Sequence, residues 1–140
     1  MGAVLEVIFT VFLLFGLAYT DGKSGNITIG PGFPRDINTN DPGVQNAALD
    51  AIYSYNNQSN DIYLFKVQRM QKAQVQVVAG LRYFLHVDIG RTFCRKGKPY
   101  NFKNCSFQTN PPLIKTLACL FDIWVIPWKQ IRHVMTIRCQ

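Results

Sequence analysis

The sequence predicts an α+β domain in which an antiparallel β-sheet wraps one long α-helix, braced by two disulfides. Three observations point there. An apolar stripe at helical spacing (Val44, Ala47, Ala48, Ala51, Ile52, Tyr55) follows the dipeptide Asp41-Pro42. Four later runs alternate apolar and polar residues with the period of two that a half-buried strand requires. Cys94, Cys105, Cys119 and Cys139 are an even set in a short chain with a secretory leader, the usual mark of disulfides.

The elements follow in order. Residues 7 to 18 are almost wholly apolar, a run of signal-peptide length rather than membrane-span length, so residues 1–20 are expected to be a signal peptide and 21–140 a single domain. The leader carries no Lys or Arg and includes Glu6. No later run is long enough to span a membrane. A Gly/Pro/Asn-rich stretch, Asp21 to Pro34, is expected to be flexible. Asp41 suits an N-cap and Pro42 the first helical turn, and Asn56-Asn57 and Asn60-Asp61 read as helix-ending residues.

A long strand is expected from Ile62 to Ala79, with a bulge or exposed edge where Arg69 and Gln71 break the alternation. Leu81 to Phe93 forms the second strand, with Tyr83, Leu85, Val87 and Ile89 on one face and Arg82, His86 and Asp88 on the other. Residues 96 to 112 hold Gly, Pro and Asn and form a loop. Leu117, Cys119, Phe121, Ile123 and Val125 mark the third strand, and Lys129 to Arg138 the fourth. Four cysteines allow three pairings; the sequential one, Cys94–Cys105 with Cys119–Cys139, closes two short loops and is preferred.

The turns are the unusual feature. Hairpin turns normally carry Gly, Pro, Asn, Asp and Ser. Between the first two strands stand Gln76-Val77-Val78-Ala79-Gly80, of which Gly80 fits a turn and Val77, Val78 and Ala79 leave an apolar tip in water. A second apolar turn, Pro127-Trp128, joins the last two strands. If the four strands form an antiparallel meander, the first and third connections lie at the same end of the sheet. The two tips are then neighbours, an exposed apolar surface of the kind a partner covers.

Charge and motifs narrow the classes further. The formal net charge is +7, and Arg91, Arg95, Lys96, Lys98 and Lys103 are close together with no acid among them. A solvated basic loop is the simplest reading; such a cluster also attracts acidic surfaces or glycosaminoglycans, while export makes nucleic acid a poor partner. Asn26, Asn57 and Asn104 begin Asn-x-Ser/Thr sequons and are candidate N-glycosylation sites. No Cys-x-x-Cys pair exists and His86 and His133 lack ligand spacing, so neither metal nor other cofactor is expected. A cysteine nucleophile needs a free thiol, and disulfides commit all four cysteines, so no enzyme is expected.

These residues resemble the type 2 cystatins, secreted inhibitors of papain-like cysteine peptidases. The likeness extends from about Gly32 to Cys139. A Gln-x-Val-x-Gly first loop is matched by Gln76, Val78 and Gly80, a Pro-Trp second loop by Pro127 and Trp128, and an N-terminal glycine by Gly32. The resemblance implies the cystatin-like fold, sequential disulfides, and a wedge that blocks a peptidase cleft (cathepsins being the expected partners) without chemistry of its own. Gly32, Gln76, Val77, Val78, Ala79, Gly80, Pro127 and Trp128 would be its peptidase-binding residues.

Inhibitory members often place bulky apolar residues before the N-terminal glycine; Gly30-Pro31 stands here, which implies weaker or more selective inhibition of endopeptidases. Some type 2 members also inhibit legumain through an asparagine after the helix, a pattern matched by Ser59, Asn60 and Asp61, although Asn and Asp also simply end helices. Pro31-Gly32-Phe33-Pro34, Ile89-Gly90-Arg91-Thr92 and Phe107-Gln108-Thr109-Asn110 are closest to one branch of the family, whose members carry extra cysteines. This chain has none of those, with Gln58 at the helix-end position, so no disulfide-linked dimer is expected. The expected location is extracellular, with the endosomal or lysosomal lumen as the other compartment such inhibitors reach. The alternative function is a non-inhibitory cationic cystatin-fold binding or host-defence protein, which would have no need of Gln76, Gly80 and Trp128.

Overall fold

The computed structural model describes residues 32–140; the expected signal peptide, Asn26 and Gly30-Pro31 lie outside the described residues. The chain runs β1 (Arg35–Asp36), α1 (Pro42–Gln58), β2 (Tyr63–Val78), β3 (Gly80–Arg95), a 3-10 turn (Phe102–Asn104), β4 (Thr116–Ile126), a second 3-10 turn (Pro127–Lys129) and β5 (Ile131–Cys139). The sheet has the order β1-β2-β3-β4-β5, with every neighbouring pair antiparallel.

The expected meander is present, with one strand more than the sequence disclosed. Arg35–Asp36 is too short and too polar to show a period, yet it pairs with Val75 and Gln74 of β2. The irregularities expected around Arg69 and Gln71 appear as register shifts between Val67 and Arg69 and between Met70 and Lys72. The first connection is tighter than the five residues foreseen: Val77 and Val78 remain paired with Leu81 and Gly80, leaving Ala79 alone at the tip. The last strand starts later than Lys129 because Pro127, Trp128 and Lys129 form a 3-10 turn.

Helix α1 begins where the capping chemistry requires. The Asp41 carboxylate accepts hydrogen bonds from the backbone N–H groups of Gly43 (2.9 Å) and Val44 (3.3 Å), satisfying two of the free donors at the helix start. Its buried stripe of Val44, Ala47, Ala48, Ala51 and Ile52 packs on Tyr83, Leu85, Val87 and Ile89 of β3 and on Cys119, Phe121, Ile123 and Val125 of β4. The three alanines bring helix and sheet close together. Large buried side chains such as Phe65, Phe121 and Leu85 each contribute about 1.5–3 kcal/mol through removal from water. Burial holds the Tyr83 hydroxyl pKa above its ordinary value, an effect that Asp41 reinforces.

All four cysteines are paired sequentially, Cys94–Cys105 and Cys119–Cys139. The first staples the end of β3 to the following loop; the second joins directly opposed residues of β4 and β5. Loops of these lengths imply about 3 kcal/mol of stabilisation each in the chain-entropy account. No cysteine of the sequence is left for a bond between chains.

Asn56 departs from expectation. Rather than ending the helix, it lies within it: α1 continues to Gln58 and Asn56 is buried. Its amide donates to the Phe65 carbonyl (2.9 Å) and its side-chain oxygen accepts from the Phe65 N–H (2.8 Å). One side chain thus meets both backbone groups that β2 turns away from β3, as a neighbouring strand would.

Asn56→Ala leaves that buried N–H and C=O unpaired, and a loss of roughly 2–4 kcal/mol in unfolding free energy is expected. Urea denaturation measures it; a change below about 0.5 kcal/mol would refute the role given to Asn56.

Candidate functional site

The β2–β3 and β4–β5 connections lie at one end of the sheet, as the antiparallel order demands. Their seating is close. Gly80 has φ +103°, and a Cβ there would stand under 3.0 Å from the Val125 carbonyl oxygen, with Ile126 and Trp124 also in contact. A side chain at this position is therefore excluded on two counts, backbone angle and space. The indole N–H of Trp124 donates to the Ala79 carbonyl (2.8 Å), so β4 holds the first tip from beneath.

The second tip is built differently. Ile126 is buried beside Gly80, and the 3-10 turn that follows closes through Gln130, whose φ of 52° is left-handed and whose N–H donates to the Pro127 carbonyl. The turn lifts Trp128 into solvent with 69% of its surface exposed. On the first tip Val77 and Val78 are 46% and 38% exposed.

A third segment joins them. Pairing of Arg35 with Val75 brings the N-terminal segment alongside β2. The Gln76 side-chain amide then donates to the Gly32 carbonyl (2.6 Å), tying Gly32, at φ +122°, to the base of the first tip. The structure thus gathers Gly32, Gln76, Val77, Val78, Ala79, Gly80, Pro127 and Trp128 at one pole. At its tips this pole presents mainly apolar side chains and backbone. What it can do is bury itself in a groove.

Two features of the pole escape a reading of the sequence. Trp124 sits at a solvent-face position of β4, where a polar residue is expected; so large an aromatic there was the available signal. Arg82 and Asp122 form a two-pronged ion pair across β3 and β4 (Nε–Oδ1 2.8 Å, Nη2–Oδ2 2.5 Å), and the hydrogen bonds to Asp122 hold the Arg82 guanidinium pKa above its ordinary value. Val78, Ala79, Arg82, Trp124 and Met135 line a mostly apolar hollow of about 350 Å³ beside the first tip.

Ser59, Asn60 and Asp61 lie at the other end of the sheet, since Tyr63 pairs with Arg95 at the far end of β3. Fifteen residues of strand at about 3.3 Å each separate the two poles by roughly 50 Å along β3. The loop is pinned. Ser59 Oγ accepts from the Asp61 N–H (3.0 Å), Asp61 Oδ1 from the Tyr63 N–H (2.9 Å), and Asp61 Oδ2 from Arg91 Nε (3.0 Å) and Nη2 (2.5 Å). Lys96 Nζ donates to the Ser59 carbonyl. Asn60 between them is exposed. Arg91 therefore does not belong to the solvated basic loop in which its sequence position put it: its side chain is only 16% exposed and serves Asp61 and the Leu113 carbonyl. Of the sequons, Asn57 is exposed on the last turn of α1, three residues before Asn60, and Asn104 is exposed in the first 3-10 turn.

Comparison with known proteins agrees with this architecture. The cystatin domain model matches residues 32–128. Cystatin-F of Mus musculus is 50% identical over 113 residues, covering 81% of this chain and 78% of the relative. Cystatin-F of Homo sapiens is 47% identical over 114 residues, covering 81% of this chain and 79% of the relative. The crystal structure of dimeric human cystatin F superposes with a TM-score of 0.75 at 45% identity, covering 86% of this chain and 96% of that one.

Gly80→Ala forces a methyl group against the Val125 carbonyl at a backbone angle an L-residue resists. A loss on the order of 1–3 kcal/mol is expected in urea unfolding, together with a shift of the Trp124 indole N–H resonance as the tip lifts. An unchanged midpoint and an unmoved resonance would contradict this seating.

Proposed function

The chain belongs to the cystatin family of cysteine peptidase inhibitors, and from that premise we propose that it is a reversible, tight-binding inhibitor of papain-like cysteine peptidases, the cathepsins among them. The observation that carries this reading is the convergence of the Gly32 segment, the Val77–Gly80 tip and the Pro127-Trp128 turn on one pole.

The proposed mechanism is occlusion. The three segments enter the peptidase groove together and cover its catalytic cysteine and histidine, and no bond of the inhibitor is cut. Binding is favoured because its costs are met beforehand. The Trp124–Ala79 and Gln76–Gly32 hydrogen bonds restrict the segments before docking, so little further freedom is lost on contact. Val77, Val78, Ala79 and Trp128 then transfer exposed apolar surface out of water. The chain acts after export, outside cells or in the endosomal or lysosomal lumen.

A second activity, inhibition of legumain through Asn60, is favoured by one observation: Asn60 is exposed on a loop whose neighbours, Ser59 and Asp61, are both held by hydrogen bonds. Asn60 would present itself as the substrate-like residue. With the two sites at opposite poles, one molecule holds a papain-like peptidase and legumain together.

Trp128→Ala is expected to cost about 2 kcal/mol or more, a roughly thirtyfold rise in the inhibition constant for papain and for a lysosomal cathepsin. Equilibrium inhibition assays measure it, and an unaltered constant for both enzymes sinks the wedge. Asn60→Ala is expected to abolish legumain inhibition and leave papain inhibition intact; legumain inhibition that survives the substitution removes the second activity.

A further inference from the structure

The pole opposite the wedge is strongly cationic, and its positive charge has no local counterpart. Arg95 ends β3, Lys96 and Lys98 flank the turn at Gly97, and the Cys94–Cys105 bridge (Cα–Cα 5.6 Å) ties this end of β3 to the 3-10 turn that carries Lys103. Lys66 stands further along β2, opposite Gly90, with its Nζ 3.5 Å from the Phe102 carbonyl, and lies outside this group. Between Asp88 and Asp122 the chain contains no acid.

Among the described residues, the carboxylate at this pole is Asp61, and Arg91 occupies it with two N–H donors. Asp88 lies seven residues back along β3 from Arg95, roughly 23 Å at strand spacing. That is well beyond the ~8 Å Debye length of physiological saline. Among the described residues, the ion pairs are Arg82–Asp122, Arg91–Asp61 and Arg132–Asp50, and none involves Arg95, Lys96, Lys98 or Lys103. Arg95, Lys98 and Lys103 are exposed. The loop that carries them is fixed: the disulfide anchors one side, Lys96 N–H bonds the Ile62 carbonyl, and the Gln108 amide bonds the Thr92 carbonyl.

We propose that this pole is a binding site for a sulfated polysaccharide. Exposed cations grouped on a disulfide-closed loop, with no acid among them in sequence, match a linear polyanion, whose binding gains from the release of condensed counterions. The export implied by residues 1–20 brings the chain to sulfated polysaccharides and away from nucleic acid and from the anionic cytoplasmic leaflet. The site is remote from the wedge, so an inhibitor held on such a matrix keeps its apolar pole free.

The probe is a heparin octasaccharide, titrated by calorimetry against the secreted protein after enzymatic removal of N-glycans, because Asn104 adjoins Lys103. Binding in 0.15 M salt is expected, weakening with salt at a log–log slope of roughly −3 for about four neutralised charges. The triple reversal Arg95→Glu, Lys98→Glu, Lys103→Glu is expected to lower affinity more than tenfold with the thermal unfolding midpoint retained. Arg69→Glu, Lys72→Glu, Arg138→Glu removes the same charge from the middle of the sheet and is expected to change affinity less than twofold. An equal loss in both variants, absence of binding in 0.15 M salt, or tighter binding to phosphatidylserine vesicles than to heparin overturns the proposal. None of these readings uses a peptidase, so the inhibitory function and this site stand or fall separately.

Discussion

The absence of a side chain at position 80 lets two hairpins touch. Strand parity brings the β2–β3 and β4–β5 connections to the same end of the sheet, but parity alone does not set their separation. That is decided where the backbone at Gly80 rests against the Val125 carbonyl, with Ile126 and the Trp124 ring on either side. Once β3 and β4 meet there, the Trp124 indole reaches the Ala79 carbonyl and the first tip is held over the second. Pairing of Gln76 with Gly32 extends the same edge to the N-terminal segment. The proposed wedge is therefore one surface built on a single backbone contact.

The rest of the molecule keeps irregular segments from loosening this frame. Polar side chains do so where no strand is available. Asn56 takes both free backbone groups of Phe65, Thr92 Oγ1 donates to the Leu64 carbonyl, and Arg91 joins Asp61 to the loop at Leu113. These groups sit in low-dielectric surroundings, where an unmade hydrogen bond is costly, so each pins its segment firmly. The outcome is a division of surface: an apolar pole carried by tight turns, and a cationic pole carried by a disulfide-closed loop roughly 50 Å away along β3.

Much of this was legible in the chain. The helix stripe, the alternation of β3 and β4 and the four cysteines each follow one physical rule, and each stands where that rule placed it. The misses also have physical causes. Arg35–Asp36 became a strand through backbone pairing with β2, which leaves no mark in side-chain hydrophobicity. Asn56 read as a helix stop because asparagine has a low helix propensity; its two bonds to Phe65 outweigh that preference. Arg91 read as one of a run of solvated cations because its partner, Asp61, is thirty residues earlier in the chain.

The chain by itself determined its period, its cysteine count and the apolar character of its two turns, since composition and spacing along the backbone are enough for each. Strand count and antiparallel order then sufficed to make those turns neighbours. Only the tertiary structure decided which polar side chains are consumed by partners and which remain free. That distinction rests on distances between residues far apart in sequence, as with Arg91 spent on Asp61 while Arg95 and Lys98 face water.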